Sequence, residues 1–144
     1  MARMIFVNLP VTDLQRSTAF YATVGAVNEP KFSNEAAAMM RFSEAVNVML
    51  LTHEFYRGFT SKEIPDAHKT AQVLLCLSAE SREAVDAQVE AAGAAGGIID
   101  PTPTQDMGGM MYGRSFEDPD GHIWEVMWMA TAAAEQGADA FENA

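Results

Sequence analysis

SFEDPDGHIWEVMWM, residues 115–129, decides how the rest of the chain is read. Its centre, DPDG at 118–121, is turn chemistry: Asp118 can accept from backbone N–H groups, Pro119 presets φ, and Gly121 takes a conformation other residues avoid. A hairpin is expected here. A four-residue connection would pair Glu117 with His122 and, counting outward, Arg114 with Glu125. On the last strand Trp124, Val126 and Trp128 share one face, while Ile123, Glu125, Met127 and Met129 share the other. Both faces are apolar and both are expected to be buried. An ionised Glu125 would then need a partner or a raised pKa, and Arg114 is the partner this register offers.

Working back from the hairpin, the chain shows one element order twice. MIFVNL at 4–9 reads as a strand, and VTDLQRSTAFYATVG switches to helical spacing, with Leu14, Thr18 and Tyr21 on one face. Thr12 and Gln15 form a capping-box pattern, and Gly25 is a stop. Strand-like pieces follow near 26–28, at 36–42 and at 46–52. AQVLLCLS at 71–78 then starts a second strand–helix sequence, its helix capped by Ser81 and carrying Val85, Val89 and Ala92 at helical spacing. GGIID, MMYGRSFE and HIWEVMWM supply three more strands. Thr12 and Ser81 stand 69 residues apart, close to half the chain, which predicts two βαβββ modules over 4–52 and 71–129. Together they make a single domain over 1–129, with a connector at 53–70 and a tail at 130–144. The connector carries Phe55, Tyr56 and Phe59 in polar surroundings and reads equally as a plain link or a lid.

Composition narrows the partners. A formal net charge of -11 over 144 residues repels phosphate backbones and anionic membranes, so neither nucleic acid nor membrane is expected. No run approaches the ~20 apolar residues of a membrane span. The one cysteine, Cys76, lies in the apolar run VLLCL, reads as a small core residue and fits a reducing cytoplasm.

The repeated βαβββ order, the helix entrance TDLQRSTAFY and the terminal EDPDGHIWEV together resemble the vicinal oxygen chelate superfamily of glyoxalases, bleomycin-resistance proteins and ring-cleaving dioxygenases, over roughly residues 4–129. The resemblance implies an α+β fold in which two modules form a curled mixed sheet around a concave cavity, usually completed by dimerisation. It also implies a divalent metal held from four strands. Of those four positions only Glu125 carries a ligand type; the others fall on Phe6, Leu50 and Leu74, or Val73 with a one-residue slip. One carboxylate cannot replace the water shell of a divalent ion. No metal and no other cofactor is therefore expected. His53 and His68, with Asp66, bracket the connector as a minor alternative metal group, and His122 falls on the face opposite Glu125.

Two functions follow as expectations. In the first, a homodimer binds a small apolar or aromatic molecule without metal, in a cavity lined by Phe6, Asn8, Val48, Leu50, Leu74, Tyr112, Arg114, Phe116, Glu125 and Met127. Glu125 is the candidate general base if chemistry occurs there. The alternative is a metal-dependent glyoxalase-type lyase, isomerase or dioxygenase, which needs ligands beyond Glu125. A cavity filled by its own side chains is the competing structural explanation.

Overall fold

The computed structural model describes residues 3–139 and divides into two compact units after Thr70. In the first unit β1 (Ile5–Val11) leads to α1 (Leu14–Thr23), then to β2 (Val27–Glu29), β3 (Ala37–Arg41) and β4 (Val46–Thr52), with a short α2 (His53–Tyr56) after them. The sheet order is β1-β4-β3-β2, with β1 parallel to β4 and the other pairs antiparallel. The second unit runs β5 (Leu75–Ser78), α3 (Arg82–Ala94), β6 (Ile98–Ile99), β7 (Gln105–Asp106), β8 (Met111–Glu117) and β9 (Ile123–Met129). Its order, β5-β9-β8-β6, follows the same rule, because the first strand again lies parallel beside the last. The expected α+β fold of two βαβββ modules is what the chain adopts. The short β7, paired with β8, is an addition to the second module.

Local chemistry accounts for the element ends. Asp13, not Thr12, caps α1: its carboxylate accepts from Arg16 N–H at 3.1 Å, while Thr12 Oγ1 accepts from the Arg16 guanidinium at 3.1 Å. Gly25 closes that helix at φ +106°. Ser81 caps α3 by accepting from Ala84 N–H, and Val85, Val89 and Ala92 are its buried stripe, as the periodicity predicts. β5 begins at Leu75 and not at Ala71, since its ladder partner β9 starts only at Ile123. In the tail α4 spans Thr131–Gln136, and residues 140–144 lie outside the described ones.

The hairpin forms, but one residue out from the expected register. Asp118 is almost fully buried and its Oδ1 accepts from the N–H groups of both Asp120 and His122, each at 2.9 Å. That Asx geometry draws His122 into the turn, so Glu117 pairs with Ile123, Ser115 with Glu125 and Arg114 with Val126. A one-residue slip exchanges the faces of a strand. Arg114 therefore lies on the opposite side of the sheet from Glu125.

Candidate functional site

Which face is which follows from α3. Asp86 on that helix accepts from Arg114 Nη1 at 2.9 Å and from Tyr112 Oη at 2.6 Å, so Tyr112, Arg114 and their cross-strand neighbours Trp128 and Val126 face the helix. Phe116, Trp124 and Val126 on this face are buried. Gly113, Ser115, Glu125 and Met127 look the other way, and Cys76 of β5 stands beside Glu125 in parallel register.

On that second face lies a recess of about 150 Å³, bounded by Cys76, Gly113, Glu125 and Met127 from the sheet and by Thr102, Pro103 and Gln105 from the segment joining β6 to β8. Glu125 is half-buried, and among the described residues its carboxylate makes no hydrogen bond and no ion pair. Water reaches it, which removes the need for the partner that full burial would have required. Cys76 is exposed at the recess and not a core residue, because β5 is an edge strand covered on one face only. Packing around the thiol raises its pKa, and the neighbouring charge of Glu125 adds to the rise.

Arg114 has other partners. Its Nε and Nη2 grip Asp100 at 3.0 and 2.8 Å, and Nη1 holds Asp86. Arg82 lies over the Tyr112 ring at 4.2 Å and grips Asp106 through two hydrogen bonds of 3.0 and 2.9 Å. The hydrogen bond from Tyr112, then that from Arg114, lowers the pKa of Asp86; Arg114 does the same for Asp100. Arg82 takes Asp106 down to about 2.

Of the residues expected to line a cavity, Arg114, Glu125 and Met127 border this recess. Tyr112 and Phe116 belong to the helix side. Leu74, exposed, precedes β5. In the first unit Phe6 and Asn8 are exposed on β1, while Val48 and Leu50 are fully buried. Tyr21 of α1 packs edge-on against Phe42, which puts α1 on the face shared by Met40, Val48 and Leu50. β4 therefore turns Asn47, Met49 and Leu51 to its other face, and Leu50 does not occupy a ligand position. Cys76, Thr102, Pro103, Gln105 and Gly113 were not expected. The parallel pairing of first and last strands was the available signal for Cys76; the wall residues follow the strand expected at GGIID, in a stretch with no periodicity of its own.

Residues 3–126 match the Glyoxalase/Bleomycin resistance protein/Dioxygenase superfamily. The chain belongs to that family. Among solved structures of similar fold are a hypothetical protein from S. aureus, 25% identical over 89% of this chain and 95% of its own, at a TM-score of 0.72. Another is a glyoxalase/bleomycin resistance protein/dioxygenase family enzyme from Burkholderia phytofirmans PsJN, 21% identical over 90% and 100%, at 0.74. A genomically encoded fosfomycin resistance protein from Listeria monocytogenes is 18% identical over 92% and 97%, at 0.63. Among curated proteins none matches.

The divalent metal associated with the family does not fit these side chains. Among the described residues no three His, Cys, Asp or Glu side chains gather closely enough to hold one, and His53, His68 and Asp66 form no such group. Phe6 and Leu74 offer no donor, and the available face of β4 offers neither imidazole nor carboxylate. Among the described residues no helix is long and apolar enough to cross a membrane.

Proposed function

We propose that the protein, as a cytoplasmic homodimer, binds a small apolar or aromatic molecule bearing a hydrogen-bond donor or a positive charge in the recess of its second module, without a metal. The carrying observation is the unpartnered carboxylate of Glu125 beside Cys76, Gly113 and Met127. The lining mixes Pro103, Val126 and Met127 with Thr102, Gln105 and Glu125, and a concave site with a few convergent polar groups is the usual build of a ligand site. The cation bordering the recess, Arg114, is occupied by two aspartates, so the local charge favours donors over anions. Glu125 is also the group we assign as general base to any proton transfer here. The run of exposed Met4, Ile5 and Phe6 in the first unit is apolar surface that a second copy would cover, which supports the dimer.

The test is calorimetric titration with benzamidine and with benzoate, which share a ring and differ in charge. Benzamidine is expected to bind, and Glu125→Gln to weaken it about tenfold or more, the loss of one charge-assisted hydrogen bond. Gly113→Val should abolish binding, since an added Cβ meets only Val126 O at 3.6 Å and Met127 side-chain atoms at 3.9 Å and its branches fill the recess. Benzoate binding as tightly as benzamidine, or unchanged affinity in the Glu125→Gln protein, would remove Glu125 from the account.

A further inference from the structure

The wall of the recess is tied down at both ends by arginines, Arg82 of α3 and Arg114 of β8. Asp100, where β6 ends, is gripped by Arg114; Asp106, in β7, is gripped by Arg82. Between these clamps lie Thr102, Pro103 and Gln105, the residues that close the recess. One neutral tie holds the middle: Ser115 Oγ accepts from Thr102 N–H at 3.1 Å and stands 2.7 Å from Thr102 Oγ1. Asp100 adopts φ +53°, a left-handed conformation unusual outside glycine, and its N–H donates to Ser115 O at 2.8 Å. Such a backbone persists only where its surroundings over-determine it, and the two-bond grip of Arg114 supplies that.

We infer that Arg82 and Arg114 are positioning residues of the ligand site, holding residues 100–106 as its wall through the Asp106 and Asp100 clamps. This rests on the recess being the ligand site. The two clamps differ in exposure: the Arg114 side chain is only 13% exposed, whereas Arg82 and Asp106 are 36% and 49% exposed. Salt therefore screens the Arg82 clamp more than the Arg114 clamp. The end of the wall at Gln105 loosens first and the end at Asp100 last, so ligand enters past Gln105.

Hydrogen exchange read by mass spectrometry over residues 98–110 measures the wall directly, and alkylation of Cys76, the one cysteine, measures access to the recess. Asp100→Asn keeps a residue that tolerates the left-handed backbone and removes its charge, and Asp106→Asn is its counterpart. Each is expected to speed exchange in this segment about tenfold or more, to speed alkylation, and to weaken benzamidine binding. The swapped pair Arg82→Asp with Asp106→Arg should restore the wild-type values. Asp86→Asn is the control, since it takes a partner from Arg114 on α3 but none from the wall; its segment should exchange at the wild-type rate. Unchanged exchange in the Asp100→Asn and Asp106→Asn proteins overturns the inference, as does equal loosening by Asp86→Asn. A loosened wall with undiminished benzamidine affinity overturns the positioning role. If wild-type protein does not bind benzamidine, the ligand reading has failed, and the exchange arms still decide whether the clamps hold the wall.

Discussion

The two modules share a topology and differ in what holds their loops. Counted from the caps Asp13 and Ser81, Asn8 corresponds to Cys76, and their strand neighbours Met49 and Glu125 correspond in turn. The loop between β2 and β3 is tied by single hydrogen bonds and, among the described residues, no ion pair: Ser33 Oγ donates to Glu29 O and accepts from Met39 N–H, Asn34 Oδ1 accepts from Ala36 and Ala37 N–H, and the Glu29 carboxylate accepts from Lys31 N–H. The loop between β6 and β8 is tied by two arginine–aspartate clamps. One scaffold thus carries a loop held by hydrogen bonds alone and a loop clamped by ion pairs. The unpartnered carboxylate sits with the second.

The largest expected effect lies in the cores. Trp124 is 2% exposed and its counterpart in the first module is Val48, fully buried. Trp124→Ala should cost about 3–5 kcal/mol, and Val48→Ala roughly 2 kcal/mol from the buried methyl groups and a small cavity. Urea denaturation of both variants checks this. Equal losses would mean that the second core does not hinge on the indole.

Charge comes next. Asp86, Asp100 and Asp106 have lowered pKa values in the folded chain, so their stabilisation is complete above the unfolded carboxylate pKa and disappears as pH falls through the folded ones, down to about 2 for Asp106. Arg82, Arg114 and Tyr112 are the groups facing them, and none of these changes charge in that window. Both tryptophans, Trp124 and Trp128, lie in β9, so their fluorescence follows the second module alone. An acid titration between pH 4 and 2, on the order of the carboxylate range, should move tryptophan emission before backbone circular dichroism. Arg114→Ala, which strands two aspartates at neutral pH, should cost roughly 2–3 kcal/mol, between an exposed and a fully buried pair. A coincident acid transition by both probes would erase the distinction between the loops.

The same contrast explains what could be read from the sequence. Element order, both helices and the hairpin are carried by local signals: periodicity, caps at or next to the expected residue, and DPDG. The register was not local. It turned on one buried aspartate accepting from two N–H groups, and that single step moved Arg114 from the face of Glu125 to the face of α3. The partners of Arg114 lie 14 and 28 residues away in sequence. Arg82 and Asp86, one helical turn apart, and Tyr112 and Arg114, alternating on a strand, were the available hint that a charged patch joins helix to sheet. The recess wall left no such trace, because the strand expected at GGIID ends at Ile99 and the two-residue β7 beyond it is too short to show a period.

The smallest effect is the sharpest probe of the comparison. Asn47 is fully buried in β4; its Nδ2 donates to Ile5 O at 3.2 Å, and among the described residues its Oδ1 has no partner. By the same counting its counterpart in the second module is Ile123. Asn47→Ile makes the first module resemble the second at this point, removing a buried unsatisfied acceptor and adding apolar area, while Ile5, an exposed residue, can give its carbonyl to water. The side chain is β-branched and suits a strand. The gains outweigh one lost hydrogen bond, so stability should rise by about 1 kcal/mol, seen as a higher urea midpoint at unchanged slope. A fall of similar size would show that the first module needs a polar group where the second does without one, and that the two sheets are less interchangeable than their strand order suggests.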